Sequence, residues 1–344
     1  KNSITHIVGV NEGQAFSLAC GFQLSSGAIP LVYLQNSGLG HILNPLLSLA
    51  DNSVYSIPSI LLIGWRGQPE TSDEPQHYKH GLKTQDMLEA ANISFSILKK
   101  DDTFSSFIKL FEASLDQAKK NQSPVAILVE RGALSNSLSG KLATPLDLSK
   151  ASRSQAIASL IKQVEASDRY ITTTGYISRD FYGQAKNANI NIKQLLMLPG
   201  SMGHCSTFTT GLSFADPSRL YFCLDGDGSV LMHMGSLVAN AELKKKVKMI
   251  HIVFNNNSHE STGGARSAGT DVKFAKIAFD AGYDTSKLVH TTDELEAELD
   301  ICRKKLSKEN GICFIEILVN KSENSALLRP SESMIDLKVK FLGG

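Results

Sequence analysis

Six short apolar runs, at residues 31–34, 59–63, 125–129, 220–224, 249–254 and 313–319, constrain this chain more than any other feature. They are nearly continuous in apolar character and carry β-branched residues, the pattern of strands buried on both faces. Between them the apolar period becomes helical. Ala15, Leu18, Ala19 and Phe22 form one stripe, with Gly27 as a stop signal. Phe104, Phe107, Ile108, Phe111 and Leu115 form a second, with Asp102 or Thr103 placed to cap it. Val230, Met234, Leu237, Val238 and Ala241 form a third. Strands alternating with helices predict an α/β fold built on mainly parallel sheets. The chain has 344 residues, enough for two such units at roughly 100–200 residues each. A Ser-rich stretch with Gly, Pro and Asn loses every apolar period. We place a linker there, at 134–153, between a first domain at 1–133 and a second at 154–344.

Composition narrows the function classes. Lys plus Arg number 35 and Asp plus Glu 34, a net charge of +1, which argues against a nucleic-acid or anionic-membrane partner. No apolar run approaches the ~18 residues of a membrane span. Cys20, Cys205, Cys223, Cys302 and Cys313 are scattered, with no Cys-x-x-Cys pair. That argues against a disulfide framework or zinc ribbon and fits a reducing, cytoplasmic compartment.

The most informative segment runs from the strand at 220–224 into Gly226-Asp227-Gly228-Ser229 and then a helix. Ligands of open α/β sheets bind at such carboxyl ends of parallel strands. Glycines let backbone N–H groups approach an anion, a helix start adds its dipole, and Asp227 offers a hard oxygen suited to Mg²⁺. After 26 intervening residues comes Asn255-Asn256, at the end of the strand at 249–254. Two neighbouring strand ends then aim Asp227 and Asn256 at one ion, whose residual positive charge holds a diphosphate. Gly-Asp-Gly alone is a common turn; the ordered combination is far more specific.

That combination resembles the thiamine-diphosphate signature, and the resemblance implies two thiamine-diphosphate-binding-type domains, each a mainly parallel sheet flanked by helices. It implies thiamine diphosphate and Mg²⁺ as cofactors. Asp227, the Asn256 side chain and the main-chain carbonyl of Ser258 would be the metal ligands. Gly228 and Ser229 would contact the diphosphate, with Gly226 a further cofactor-binding residue. Relatives usually carry Gly where this chain has Asn257, a residue that tolerates left-handed backbone. Upstream, in Pro199-Gly200-Ser201-Met202-Gly203-His204, Gly200, Ser201 and Met202 would also bind cofactor, Met202 propping it into its bent form. In the first domain, an apolar strand ending at Val10 leads into Glu12 and the first helical stripe. Acidic residues suit any first helical turn. Beside the metal motif, however, Glu12 resembles the family's activating carboxylate, a catalytic group that bonds the aminopyrimidine. In the family this glutamate follows a strand and a helix, so the chain is expected to lack the first βα unit of its pyrimidine domain.

The order pyrimidine domain (1–133), linker, diphosphate domain (154–344), with no middle domain, resembles the phosphonopyruvate and sulfopyruvate decarboxylases. Segments 33–41, 44–50, 62–67, 73–77, 173–180, 200–204 and 256–264 agree along nearly the whole chain. The implied function is decarboxylation of 3-phosphonopyruvate to phosphonoacetaldehyde and CO2. Sulfopyruvate decarboxylation and a non-catalytic cofactor-binding relative are the alternatives. An anionic head group needs cationic or N–H partners. Arg66 is the first candidate, with His41 and His259, and Lys79, His77 and Arg266 behind them. The family builds its site between subunits, so a homodimer or larger homo-oligomer is implied. One departure is local: relatives follow Gly-Gly with Gln-Pro, and this chain reads Gly264-Ala265-Arg266-Ser267, where Arg266 offers an alternative anion contact.

Overall fold

The structure, a computed structural model, describes residues 4–134, 150–262, 264–320, 327 and 329–343. The chain divides into two compact units, Lys1–Lys141 and Leu142–Gly344. Most of the expected linker, residues 135–149, lies outside the described residues. Its end does not: Ser152 caps a helix of the second unit and bridges to Asn320.

The first unit holds strands β1 (Leu31–Gln35), β2 (Ser59–Gly64), β3 (Ser94–Leu98) and β4 (Pro124–Val129), with helices α1 (Glu12–Ser26), α2 (Leu39–Pro45), α3 (Pro75–Ala90) and α4 (Phe104–Asn121). Its strands form one parallel sheet in the order β1-β2-β4-β3. Central β2 and β4 are buried on both sides because their apolar residues serve two cores. Leu61, Ile63, Ala126 and Leu128 pack with Phe16, Leu39, Ile42 and Leu88. Ile60, Val125 and Ile127 pack with Ala118 of α4. Thr103 caps α4 by accepting from the Ser106 N–H at 3.1 Å, and Gly27 ends α1 at φ 71°.

The second unit holds strands β5 (Arg169–Thr172), β6 (Leu195–Met197), β7 (Tyr221–Gly226), β8 (Lys248–Asn255), β9 (Ser258–His259), β10 (Ala265–Arg266), β11 (Thr285–Val289) and β12 (Gly311–Leu318). Its helices are α5 (Arg153–Ile161), α6 (Tyr176–Asn187), α7 (Cys205–Ala215), α8 (Asp227–Met232), α9 (Ser236–Glu242), α10 (Phe274–Asp280), α11 (Thr292–Leu306) and α12 (Met334–Leu342). Six strands form a parallel sheet, β11-β12-β8-β7-β5-β6, while β9 and β10 make a small antiparallel pair. Ile157, Phe181, Leu299 and Leu337 cover one face, against Tyr170, Phe222, Leu224, Ile250, Ile252 and Ile315. Helices α7 and α10 pack on the other. Both units are thus parallel sheets flanked by helices. No helix among the described residues is long and apolar enough to cross a membrane.

Three local expectations fail. Residues 4–9 form no strand, and Ile4 and Ile7 are exposed. The α1 stripe faces outward at Leu18 and Phe22, while Phe16 and Cys20 are buried. The third stripe is not one helix: α8 ends at Met232 and α9 begins at Ser236. The Gly203 turn fills the gap, since a Cβ there would meet His233 Cδ2 at 2.5 Å.

Helix α3 approaches the loop after β2 so closely that only hydrogen fits at Gly81. A Cβ at Gly81 would sit 1.6 Å from the Gly67 carbonyl oxygen, and the Gly81 carbonyl accepts from Trp65 Nε1 at 2.9 Å. Gly81→Ala is therefore expected to destabilise the first unit by roughly 1–3 kcal/mol or more. A drop in the urea midpoint at unchanged slope measures it.

Candidate functional site

The order of the second sheet creates a site before any side chain is considered. The chain steps from β5 outward to β6, then returns across β5 to place β7 on its other side. The carboxyl ends of β5 and β7 thus flank a topological switch point, the usual ligand crevice of an open parallel sheet. Strand β8 lies beside β7 with Gly226 opposite Phe254. The segments after β5, β7 and β8 therefore emerge together.

A cleft at these ends is lined by Thr173, Met202, Asp227, Ser229, Asn256 and His259, among others. Gly226, Gly228 and Ser258 line it too, so every expected metal ligand and most cofactor contacts converge here. Gly200 and Ser201 do not line it; Ser201 is exposed and adopts φ 54°. Asp227 opens α8 and is 2% exposed. Burial pushes its carboxyl up, and the Ser267 hydroxyl, donating to Oδ2 at 2.6 Å, together with nearby His259, only partly counters this. Asn256 accepts from the Ser258 N–H at 3.0 Å and donates to Glu260 Oε2 at 3.0 Å. Asn257 takes φ 54°, the left-handed turn anticipated for it. The Ser229 hydroxyl lies 3.1 Å from Thr173 Oγ1 and accepts from the Gly203 N–H at 3.0 Å. It ties the Met202 turn to the end of β5. Gly228 lets Met202 and His259 close in: a Cβ there would meet His259 Cε1 at 2.8 Å and Met202 Cε at 3.3 Å.

Several contributors went unread in the sequence. Arg153, 2% exposed, is ion-paired to Asp180 and to Glu260, the residue that holds the Asn256 amide. Its NH2 nitrogen is buried without a hydrogen-bond partner, and Arg153 lines the cleft. Ser267 closes the Gly264–Ser267 segment. There Gly264 donates to the His259 carbonyl, Ser267 N donates to the Asn257 carbonyl, and Ser267 Oγ reaches Asp227. Arg266 Nε donates to Thr270 Oγ1 at 2.6 Å. A buried carboxylate, an amide oxygen and a main-chain carbonyl form a hard-oxygen donor set that suits Mg²⁺.

In the first unit, Asn11 caps α1 by accepting from the Gln14 N–H at 2.9 Å, which sets Glu12 as the first helical residue. Glu12 Oε2 is buried without a hydrogen-bond partner. The carboxylate rests on Gly38, where a Cβ would meet Oε1 and Cγ at 2.5 Å. That explains a glycine in the 33–41 segment. His41 stands in α2, its carbonyl against Gly13. Arg66 is already engaged: Nε donates to Asp73 Oδ2 at 2.7 Å and NH2 to Oδ1 at 2.5 Å. Asn36, buried, clamps the same loop by accepting from Arg66 N and donating to Arg66 O. His77 is held below its ordinary value by burial and by the Arg66 charge, while Lys79 is exposed on α3.

Residues 184–317 match the family of thiamine pyrophosphate enzyme, C-terminal TPP binding domains. The chain is 28% identical over 343 residues to a phosphonopyruvate decarboxylase of Streptomyces viridochromogenes, covering 96% of this chain and 82% of that one. It is 28% identical, with the same shares, to a phosphonopyruvate decarboxylase of Streptomyces hygroscopicus. It is 26% identical over 277 residues to a sulfopyruvate decarboxylase of Methanosarcina acetivorans, covering 73% of this chain and 66% of that one.

The Arg66–Asp73 pair has a pH signature. The guanidinium first, then the Glu74 and Gly67 N–H groups, hold the Asp73 carboxyl well below the usual range despite burial. The folded chain then binds that proton less readily than the unfolded one. Its stabilising share is complete above ~pH 4 and is lost as pH falls towards the depressed folded value. Arg66→Gln is expected to cost roughly 1–2 kcal/mol at neutral pH, discounted for the exposed guanidinium. It should also flatten the acid-side slope below ~pH 4. Urea unfolding of both proteins across that window measures it.

Proposed function

We infer, from the match of residues 184–317 to the thiamine pyrophosphate enzymes' C-terminal TPP-binding domain, that this chain is a thiamine-diphosphate-dependent decarboxylase of 3-phosphonopyruvate, releasing CO2 and phosphonoacetaldehyde. The observation that carries the reading is the cleft at the ends of β5, β7 and β8. Within it, buried Asp227 and Ser258 and half-buried Asn256 could offer three oxygens to one ion. The residues fit the cofactor, and we assign them roles on that basis. Asp227 Oδ, Asn256 Oδ1 and the Ser258 carbonyl would hold Mg²⁺. The N–H groups at Gly228 and Ser229, at the start of α8, would face the diphosphate, and Met202 would support the bent cofactor. Gly226, Gly200 and Ser201 complete the proposed cofactor contacts.

Bound, the cofactor supplies the electron sink that accepts the electrons released with CO2. The chain's own task is to promote proton loss from it. Glu12 Oε2, buried and unpartnered, is suited to hold a proton shared with the aminopyrimidine ring, and such positioned help contributes roughly 10²–10⁴ in rate. On this reading the first unit is the pyrimidine domain and the second the diphosphate domain. Self-association, as a homodimer or larger, belongs to the proposal; Leu18 and Phe22 leave an apolar face on α1 that a second copy would cover. Arg66, His41 and His259 remain the proposed contacts for the anionic head group. The relatives at 28% identity favour phosphonopyruvate, and the sulfopyruvate decarboxylase at 26% makes sulfopyruvate the competing acid.

The test is CO2 release from each acid, with and without thiamine diphosphate and Mg²⁺. Cofactor-dependent release with a higher kcat/KM for phosphonopyruvate is expected. Higher kcat/KM for sulfopyruvate reassigns the substrate, and no release from either sinks the decarboxylase reading. Glu12→Gln should bind cofactor yet lose on the order of 10²-fold or more in kcat. Gly38→Ala should displace the Glu12 carboxylate and lower kcat at least ~10-fold, with cofactor affinity measured calorimetrically nearly unchanged. Full activity in either variant rejects the role given to Glu12.

A further inference from the structure

Directly beneath the strand ends of the second unit lies a cluster that the proposed chemistry does not use. Cys205 is the first residue of α7. Cys223 and Asp225 stand two apart on β7 and so share one face of the sheet. His251 lies on β8 in register with Cys223. Cys205, Cys223 and His251 are fully buried and Asp225 is 2% exposed.

We propose that Cys205, Cys223, Asp225 and His251 form a structural zinc site that pins α7, β7 and β8 to one another. The spacing fits. Zn²⁺ bonds thiolate sulfur at about 2.3 Å and nitrogen or carboxylate oxygen at about 2.0–2.1 Å, so tetrahedral edges run to about 3.8 Å between sulfurs and about 3.3 Å between N and O. Here the two sulfurs are 3.5 Å apart, and His251 Nε2 is 3.6 Å from Asp225 Oδ2. Ligand atoms of Cys205, Cys223 and Asp225 all lie within 4.8 Å of one another; His251 lies outside that group, so its ring must move inward to close the tetrahedron.

The surroundings orient the donors as a metal site requires. His251 Nδ1 lies 3.5 Å from the Tyr283 hydroxyl, which in turn accepts from Asn240 Nδ2 at 3.3 Å. The Tyr283 hydroxyl can accept from an Nδ1–H, and in that tautomer Nε2 presents a lone pair. Nε2 is buried and has no hydrogen-bond partner, and it faces a carboxylate oxygen, which is also an acceptor. Two acceptors turned on each other call for a cation between them, and an outer hydrogen bond fixing a ligating imidazole is the usual arrangement. Asp225 Oδ1 accepts from the Gly226 N–H at 3.0 Å, which leaves Oδ2 for the ion. Sulfur and imidazole ligands select Zn²⁺ over the Mg²⁺ that suits an all-oxygen set. Coordination releases the thiol protons to solvent and leaves two thiolates and a carboxylate on the ion. The occupant without a metal is a proton, as an imidazolium facing Asp225, and the experiment must separate the two.

The full chain, expressed with supplementary zinc and purified under reducing conditions without chelator or metal-affinity resin, is assayed by plasma mass spectrometry. Close to one zinc per chain is expected, independent of thiamine diphosphate. Cys223→Ser and His251→Gln should each lower that at least ~10-fold, and Cys302→Ala, a buried thiol outside the cluster, should leave it unchanged. Should those variants fail to fold, Co²⁺ titration of the stripped wild-type chain decides. A near-ultraviolet thiolate-to-cobalt band, absent in Cys205→Ala, supports the site. Zinc below about a tenth per chain together with no such band overturns it and assigns the cluster to a protonated His251–Asp225 pair. Both readouts are independent of turnover, so failure here leaves the decarboxylase reading standing.

Discussion

A carboxylate buried at the end of a parallel strand is the constraint around which the second unit is organised. Asp227 is almost wholly removed from water, and an ionised carboxylate in that position is expensive unless its charge is met. Within the chain it receives one hydroxyl, from Ser267, the start of a six-residue helix and the nearby His259 ring. Together these only partly offset its burial, which still raises the carboxyl. On the proposed reading a divalent ion would meet that demand. The neighbouring donors, an amide oxygen held in place by Glu260 and Arg153, and a carbonyl at a left-handed turn, follow from the same need for hard oxygens.

The sheet order explains why such a costly group can be placed so reproducibly. At a switch point, loops from adjacent strands leave in opposite directions and open a crevice without any side chain being removed. The Ser229 hydroxyl then bridges the Met202 turn to Thr173, so three segments far apart in sequence share one hydrogen-bonded joint. The first unit uses a comparable device. Asn36 holds the Arg66 loop by both its backbone N–H and carbonyl, and Asp73 clamps the Arg66 side chain and the Gly67 N–H.

Much of this was legible in the sequence because buried parallel strands leave a strong mark. All six apolar runs are strands, within one or two residues. In the two parallel sheets the strands that escaped notice, β3, β5, β6 and β11, are three to five residues long, and β3 and β11 carry half-exposed positions. Short or edge segments do not develop a continuous apolar signature. The α1 stripe misled because periodicity reports an apolar face, not what covers it; Phe16 and Cys20 face the sheet instead. The Gly226–Ser229 and Asn255-Asn256 pairing was readable because strand ends bring distant positions together by topology alone. Ser267, Arg153 and Glu260 were not, since each reaches its partner through side-chain geometry that no spacing rule encodes.

The cysteines carry that lesson furthest. Read along the chain, Cys205 and Cys223 are two of five scattered thiols, without the close pairing that marks a zinc ribbon. In space they are the one residue of a helix start and the one pleat position of β7 that meet, and pleating adds Asp225 two residues on. Register then adds His251 from the neighbouring strand. The same strand that turns Cys223 and Asp225 to the α7 side turns Phe222 and Leu224 into the opposite apolar core. Asp227 lies just past the last pleat, at the start of α8. The alternation therefore gives one strand three jobs: apolar core on one side, a sulfur, oxygen and nitrogen cluster on the other, and a hard-oxygen site at the tip. The two polar sites differ in donor chemistry for a physical reason. The tip opens to a cleft where carbonyls and amides are available, while the cluster is sealed under α7, where small, weakly hydrated thiols are the polarizable groups that a core tolerates.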